Sequence, residues 1–340
     1  MTERTTLDAY LTAWAGADAR RGAVSETIHA LMGACTTIAD IVGRGALEGA
    51  MGAATEATNA GGDSQKALDL RTHDIVVEAL KDTPVARIGS EEADDEVVFD
   101  DGRPLVVATD PLDGSSNIET NVSIGTLFGI LPNTGEAPFL QPGSKQLAAG
   151  FVVYGPATVL VLTVGAGTQV FTLERESGDY VLTDADVAIA RETKEYAINA
   201  SNQRHWDAAM QGYVMDCLAG VEGPREKNFN MRWVGSLVAD VFRILVRGGV
   251  YLYPGDERSG YGQGRLRLVY ECNPIAFVCE QAGGAATTGT ARVLDVIPAS
   301  LHVRSPLVAG SAEEVERVTQ YYAEPPRRSP LFAKRGLFLA

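Results

Sequence analysis

The sequence lacks the features of a nucleic-acid-binding, membrane-spanning or exported protein. Its 29 lysines and arginines face 44 acidic residues, and the formal charge of −15 at pH 7 opposes binding to nucleic acid or to an anionic membrane. No uninterrupted apolar stretch reaches the roughly 20 residues that cross a bilayer. Residues 1–19 lack the basic start and apolar run of a secretory signal. We therefore expect a cytoplasmic protein with no nucleic-acid or membrane partner.

Cysteine is also scarce and is not arranged for a known cysteine chemistry. The four cysteines form neither a Cys-x-x-Cys pair nor the spacing of a zinc site: Cys35, Cys217, Cys272 and Cys279. Reduced and mostly buried thiols are therefore expected. What remains is 45% hydrophobic and 21% charged residues, the balance of an ordinary globular enzyme.

Length and local patterns predict two α/β units. A chain of 340 residues exceeds the usual size of a single core. The charged stretch 191–195 interrupts the strand pattern, so a boundary near residue 190 would separate an N-terminal domain, 1–190, from a C-terminal domain, 191–340. Apolar periodicity predicts helices at 25–42, 69–80, 206–218, 237–246 and from 274 to about 283, and strands at 104–109, 196–199, 250–253 and three between 151 and 173. Residues 45–62, rich in Ala, Gly and Thr, are expected to form a mobile loop or a weak helix.

The most specific local feature is the string Asp110-Pro111-Leu112-Asp113-Gly114-Ser115-Ser116, directly after a predicted strand. Pro111 fixes one torsion and Gly114 permits a tight turn, so the two carboxylates and the Leu112 carbonyl can face one point. Such hard oxygen ligands suit Mg²⁺ or Mn²⁺. The backbone N–H groups that follow can open a helix and attract phosphate. The string is too long for the simpler reading, a plain Asp-Gly turn with a serine cap.

Further acidic residues stand beside turns or strand ends: Asp63, Asp69, Glu91, Glu92 and Glu271. In an extended segment Glu91 and Glu92 would point to opposite sides, so that one could bind a metal ion while the other orients water. Taken singly, each is better explained by a solvated surface charge or a helix cap, since the chain has 44 acidic residues. Their assignment to one site depends on the resemblance that follows.

Four strings, in order along the chain, resemble class I fructose-1,6-bisphosphatase, a family of lithium-sensitive, Mg²⁺-dependent sugar phosphatases. They are Ser90-Glu91-Glu92 and residues 110–118, 234–240 and 266–274. The resemblance extends over roughly residues 20–335. It implies an α/β fold of the α+β sandwich type, layered α-β-α-β-α, with two sheets and helices between and outside them.

The resemblance also implies roles for individual residues. The metal ligands would be Glu91, Asp110, Asp113, Glu271 and the Leu112 carbonyl, binding Mg²⁺ or, in its place, Mn²⁺. The catalytic residues would be Glu92 and Asp69, which polarise the attacking water, and Asp63, which aids a further ion. The hydrolysed phosphate would lie on Asp113, Gly114, Ser115 and Ser116, and the distal phosphate on Asn199, Tyr253 and Arg265. Arg232 would reach a neighbouring subunit's site, which implies a homo-oligomer, with a tetramer expected.

The implied reaction is hydrolysis of the 1-phosphate of fructose 1,6-bisphosphate, in gluconeogenesis or the Calvin cycle. At the distal pocket Asn202 and Trp233 replace two tyrosines of the family and Arg265 replaces a lysine, so a seven-carbon bisphosphate is a plausible second substrate. One alternative is an inositol-monophosphatase-type enzyme, which shares the metal motif. Another is a non-catalytic sugar-phosphate sensor, which would need a broken set of metal ligands.

AMP is expected not to inhibit this chain. Residues 21–25, Arg-Gly-Ala-Val-Ser, stand where animal relatives have the Thr-Gly-Glu-Met-Thr segment of their AMP site, and Pro104-Leu105 and Ser144 replace its lysine-tyrosine pair and an arginine. A tenfold loss of affinity needs about 1.4 kcal/mol, and losing several charged hydrogen bonds exceeds that. The check is phosphate release assayed across AMP concentrations, and strong inhibition would contradict the prediction.

Overall fold

The computed structural model describes residues 4–49, 52, 54–58 and 64–324. Within these ranges the α-helices are α1 Leu7–Ala15, α2 Ala19–Arg44, α3 Ala67–Leu80, α4 Ala208–Leu218, α5 Leu237–Arg247, α6 Asn273–Gln281 and α7 Ala312–Ala323. The strands of the first half are β1 Ala54–Thr58, β2 Ser64–Lys66, β3 Val85–Ser90, β4 Val97–Val98, β5 Leu105–Asp113, β6 Ile124–Pro132, β7 Ala148–Tyr154, β8 Thr158–Thr163, β9 Gln169–Leu173 and β10 Tyr180–Asp184. Those of the second half are β11 Glu195–Ala197, β12 Asn230–Met231, β13 Val250–Tyr253, β14 Leu266–Arg267, β15 Ala285–Thr287, β16 Arg304–Ser305 and β17 Leu307–Gly310.

Most of the predicted elements are present, and their differences in length have local causes. The first predicted helix begins at Ala19 rather than residue 25, because the side chain of Asp18 caps it by accepting a hydrogen bond from the Arg21 N–H at 2.9 Å. The strand predicted at 104–109 continues to Asp113, so the acidic motif lies within β5 rather than after it. Three strands lie between 148 and 173, as predicted.

Two large sheets organise the chain. One has the order β10-β9-β8-β7-β6-β5-β3-β4 and the other the order β12-β11-β13-β17-β15. The eight-stranded sheet is antiparallel except for β3 and β5, which run parallel, with Ser90 opposite Thr109. Because parallel strands end at the same edge, the residues that follow Ser90 and Thr109 are brought side by side.

The layers can be read from alternation along the strands. On the eight-stranded sheet, Phe128 and Val152 face a core shared with α1, α2 and α3, whereas their neighbours Leu127 and Phe151 face a core shared with α5 and α6. On the five-stranded sheet, Tyr251 faces that same middle core. The residues on either side of it, Val250 and Leu252, face the outer core formed with α4 and α7. The predicted α-β-α-β-α sandwich is confirmed.

Two sequence-based expectations differ from the structure. Within the predicted loop or weak helix at 45–62, residues 45–48 form one 3₁₀ turn and Ala54–Thr58 form a strand paired with β2. The start of a helix near Asn273 also predicts that Glu271 lies at a junction between a strand and that helix. Instead Leu268–Cys272 form a π-helical turn between β14 and α6, so Glu271 projects from a turn. The catalytic candidate Asp63 lies outside the described residues.

Helix α2 is the most apolar long element. Residues 19–48 contain an 18-residue window with mean hydropathy 1.2, which by length and composition alone could cross a membrane. In the fold, ten residues of this helix are buried, among them Ile28, Leu31 and Ile38, and they belong to the first core. A core helix accounts for this apolarity. The four cysteines are free and buried, as expected.

Candidate active site

A cavity of about 470 Å³ lies between the two large sheets. It is lined by twelve of the residues named from the sequence, namely Asp69, Glu91, Glu92, Asp110, Leu112, Asp113, Gly114, Ser115, Ser116, Tyr253, Arg265 and Glu271, and by Lys66, Leu266, Arg267 and Arg304. The lining carries six acidic residues together with Lys66 and the arginines Arg265, Arg267 and Arg304. The cavity can therefore receive both cations and anions.

The acidic end is built by the parallel pair of strands. Glu91 and Asp110 directly follow the paired residues Ser90 and Thr109, so they lie next to each other where β3 ends beside β5. Glu271 joins them from the π-helical turn. Carboxylate oxygens of Glu91, Asp110 and Glu271 all lie within 4.8 Å of one another, a spacing that suits a single metal ion.

Asp113 is fixed from the other half of the chain. Its Oδ2 accepts hydrogen bonds from the Val238 N–H at 3.1 Å and from Ser236 Oγ at 3.4 Å, both at the start of α5. An acidic group at a helix start is stabilised by the free N–H groups there. The contact ties the Asp110 motif to the helix that carries the string 234–240.

Burial and mutual repulsion raise the pKa values of these acids. Burial is the largest cause for each, and it raises the pKa of Asp113 to about 7 and those of Asp110 and Glu271 well above their usual range. The charge of Glu91 adds to the shift at all three. A site that raises acid pKa values in this way favours a cation, because a bound cation would compensate the repulsion.

Asp69 and Glu92 stand at the edge of the acidic cluster. Asp69 is buried at the start of α3, where its Oδ2 accepts a hydrogen bond from the Lys66 N–H at 2.7 Å. Its Oδ1 is buried without a hydrogen-bond partner among the described residues. Burial raises the pKa of Asp69 to about 6. The backbone N–H of Glu92 donates to Ser90 Oγ at 3.3 Å, which fixes the chain that carries this carboxylate.

A tight turn follows the acidic strand. Gly114 has φ +82°, a conformation that favours glycine, and Ser115–Thr120 then form a 3₁₀-helix. Asn117 donates through Nδ2 to the Gly235 carbonyl at 3.0 Å, which holds this turn against the loop before α5. The predicted helix opening is thus present as a short 3₁₀-helix, with its first residues facing the cavity.

Tyr253 and Arg265 bring an aromatic ring and a cation to the cavity lining. Trp233, Tyr251 and Tyr253 form a stack with ring centroids 5.8 to 6.1 Å apart. Tyr253 and Arg265 line the cavity and also border a small adjoining hollow, which is further lined by Asn199 and Asn202. Asn199 is partly engaged in its own turn, because its Oδ1 accepts from the Ser201 N–H at 3.2 Å.

Arg232 lies apart from this cavity. Its side chain is 55% exposed, and its nearest carboxylate is Glu195, with Nε to Oε1 at 3.9 Å. Within one subunit it does not line the site.

Sequence reasoning did not assign a role to Arg267. This side chain is 8% exposed and forms an ion pair with Glu91, with Nη1 to Oε1 at 2.9 Å, while its backbone N–H donates to Glu271 Oε2 at 2.6 Å. An arginine between apolar residues of a buried strand needs an anionic partner, and that signal was present in the string 266–274. Lys66 and Arg304 also line the cavity, but no sequence pattern around them indicates this.

Comparison with known proteins identifies the family. Residues 11–185 match the family model described as fructose-1-6-bisphosphatase, N-terminal domain, and residues 189–323 match the one for its C-terminal domain. The chain belongs to the class 1 fructose-1,6-bisphosphatase family. Fructose-1,6-bisphosphatase class 1 of Rhodopseudomonas palustris strain HaA2 is 54% identical over 98% of this chain and 96% of its own length. The corresponding protein of Azorhizobium caulinodans is 56% identical over 93% of this chain and 99% of its own length.

A solved structure of the family has the same fold. The holo form of Leishmania major fructose-1,6-bisphosphatase is similar with a TM-score of 0.88 and 31% sequence identity, covering 95% of this chain and 100% of that one. The chain is therefore a phosphatase of carbohydrate metabolism by family. Its acidic cavity agrees with the use of divalent metal ions in that family.

A divalent cation is expected to stabilise the protein more at pH 8 than at pH 5. Acids whose pKa is higher in the folded than in the unfolded chain bind more protons when folded, so the free energy of unfolding falls as pH rises. This loss of stability occurs between about pH 4, the pKa of an aspartate in the unfolded chain, and the folded-state pKa values of about 6 for Asp69 and about 7 for Asp113. Above this pH range, an ion at 100 times its Kd would contribute about 2.7 kcal/mol.

The measurement is thermal unfolding with and without MgCl₂ at both pH values. NaCl at equal ionic strength is the control for screening, and Glu271→Gln should reduce the response to Mg²⁺. An equal rise in Tm with NaCl, or an equal rise at both pH values, would contradict the prediction.

Proposed function

We propose that this chain catalyses the Mg²⁺-dependent hydrolysis of the 1-phosphate of fructose 1,6-bisphosphate, giving fructose 6-phosphate and phosphate. The observation that carries the proposal is one cavity lined both by a carboxylate cluster and by Tyr253 with Arg265. The carboxylates suit metal ions that would activate a water molecule for attack on one phosphate, and the arginine suits a second phosphate. The names of the relatives at 51–56% identity support the same substrate.

The proposed metal ligands are Glu91, Asp110, Asp113 and Glu271 with the carbonyl of Leu112. All are oxygen donors, which favours Mg²⁺ with Mn²⁺ as a substitute, and the repulsion among the buried acids supports their fit to a cation. When bound, the ions would lower the pKa of a water molecule and neutralise phosphoryl oxygens. Asp63 remains a proposed aid to a further ion.

The proposed proton acceptors are Asp69 and Glu92. Asp69 has a buried oxygen without a partner among the described residues and a pKa of about 6, so near neutral pH it can accept a hydrogen bond or a proton from the attacking water. Backbone N–H groups of Gly114, Ser115 and Ser116 would hold the phosphoryl oxygens. Arg267, through its contact with Glu91, would keep that ligand oriented.

The distal phosphate would bind at Asn199, Tyr253 and Arg265. Arg265 forms no ion pair with a carboxylate in the part of the chain that the structure describes, so its charge remains for a phosphate group. An inositol-monophosphatase-type enzyme needs no such cation, which makes that reading weaker. The replacement of two family tyrosines by Asn202 and Trp233 and of a lysine by Arg265 supports sedoheptulose 1,7-bisphosphate as a second substrate, and Asn202 borders the hollow beside Tyr253 and Arg265.

We also propose a homo-oligomer, expected to be a tetramer, in which Arg232 reaches the site of a neighbouring subunit. Its exposure and its distance from its own cavity support this role. A guanidinium that enters a phosphate site forms charge-assisted hydrogen bonds.

The boundary near residue 190 stands as a proposal, supported by family models that meet between 185 and 189. A cytoplasmic place in gluconeogenesis or the Calvin cycle follows from the proposed substrate.

Asp110→Asn is expected to lower turnover of fructose 1,6-bisphosphate by more than 100-fold while the fold stays intact. Changes in the partners of metal ligands alter activity by about 10- to 100-fold, and losing a ligand charge should exceed that. The measurement is phosphate release from fructose 1,6-bisphosphate, sedoheptulose 1,7-bisphosphate and inositol 1-phosphate, with and without Mg²⁺. The matched control is Asp82→Asn on an exposed turn. Full Mg²⁺-dependent activity of Asp110→Asn, or preference of the wild type for the inositol phosphate, would refute the proposal.

Arg232→Ala is expected to raise KM for the bisphosphate by about tenfold, because it removes the binding free energy of a charge-assisted hydrogen bond. In a shared-site oligomer, co-expression with Asp110→Asn should restore sites of native KM, because the second subunit supplies the missing arginine. Sedimentation gives the oligomeric state. A monomer, or no recovery in the mixed oligomer, would exclude a shared site.

A further inference from the structure

The loop between β13 and β14, residues 254–265, carries a cluster of cations on an aromatic ring. The guanidinium carbon of Arg265 lies 4.6 Å from the centroid of the Tyr261 ring, and that of Arg258 lies 5.0 Å from the same centroid. Both are within the range of cation–π attraction. Tyr261 is thus the ring on which the cation of the proposed distal-phosphate site rests.

The two arginines differ in their charge partners. Arg258 is neutralised by Asp256, whose Oδ1 accepts from the arginine's Nε at 2.9 Å and from its backbone N–H at 3.0 Å, with a further contact to Nη2. Arg265 has no such partner among the described residues. Only one of the two charges on the ring is therefore available to an anion in the cavity.

Backbone contacts fix the position of Tyr261. The Asp256 N–H donates to the Tyr261 carbonyl at 3.0 Å, and the Gly264 N–H donates to the same oxygen at 2.9 Å. Gly264 has φ +83°, and a Cβ there would lie 2.6 Å from the backbone of Ser305 and Pro306. The loop is held by its own hydrogen bonds and packs against residues 305–306 of the same chain, so the ring has a defined position relative to Arg265.

We infer that Tyr261 is a positioning residue that holds the Arg265 guanidinium for the phosphate remote from the reacting one. The inference rests on the proposed function, because it concerns the second phosphate of that substrate. An arginine side chain loses rotamer freedom when it grips a ligand, and a ring that already supports its planar group reduces this loss. Because Asp256 neutralises Arg258, the second cation on the ring adds little repulsion to Arg265.

The test compares Tyr261→Leu, which removes the ring, with Tyr261→Phe, which keeps it. For Tyr261→Leu we expect KM for fructose 1,6-bisphosphate to rise about two- to fivefold, the size of an exposed cation–π contact, with kcat unchanged. Tyr261→Phe should stay near the wild type. With fructose 1-phosphate, which lacks the distal phosphate, kcat/KM should be the same in all three proteins. In an Arg265→Ala background, Tyr261→Leu should have no further effect.

Calorimetric binding of fructose 6-phosphate separates this inference from the proposed function. That compound carries the distal phosphate alone, and Tyr261→Leu should weaken its binding two- to fivefold even if hydrolysis is absent. A wild type that binds it but does not hydrolyse the bisphosphate would overturn only the proposed activity. Unchanged binding in Tyr261→Leu, an equal effect on fructose 1-phosphate, or an effect that persists in Arg265→Ala would overturn the role of Tyr261.

Discussion

The structure depends on one constraint, the burial of several like charges at a single point. Asp110, Asp113 and Glu271 are each less than 10% exposed, and their mutual repulsion opposes burial. The surrounding chain meets this constraint with fixed donors: the start of α5 for Asp113, the Arg267 backbone for Glu271, and the Arg267 guanidinium for Glu91. The contacts of Asp113 and Glu91 join distant parts of the sequence, so the cluster exists only when both halves are folded. The fold supplies the hydrogen-bond donors without which these acids could not be buried.

The parallel strand pair is what converts a sequence motif into a site. In an otherwise antiparallel sheet, the neighbours of β5 would end at opposite edges, and Glu91 would lie far from Asp110. The single parallel pairing of β3 with β5 brings both to one edge. The crossover that permits this pairing must pass from β3 through β4, which pairs with β3 alone.

The sequence predicted five of the seven α-helices and six of the seventeen strands that the structure describes, because apolar periodicity is a local signal. All six acidic residues of the cavity lining were also named, but their assignment to one site came from the family resemblance. Apolar periodicity located α2 and α3, and the Asp110 string carries its own turn residues. The signals that were missed are those fixed by tertiary contact. The π-helical turn at Leu268–Cys272 and the pairing of Arg267 with Glu91 depend on contacts between segments that are far apart in the sequence. The proposed role of Arg232 needs a second subunit, because its side chain does not line the cavity of its own subunit.

The middle layer of α5 and α6 has a consequence for how this chain can change. Both sheets bury one face against it, and Gly125 of β6 lies so close to Val238 that an added Cβ would approach its Cγ2 to 2.6 Å. A substitution in this layer disturbs the packing of both sheets, so it requires compensating substitutions in the residues that face it from either sheet. The loop at 254–265 lies outside this shared core. Variation in ligand preference can therefore accumulate in the loop while the carboxylate cluster stays constant.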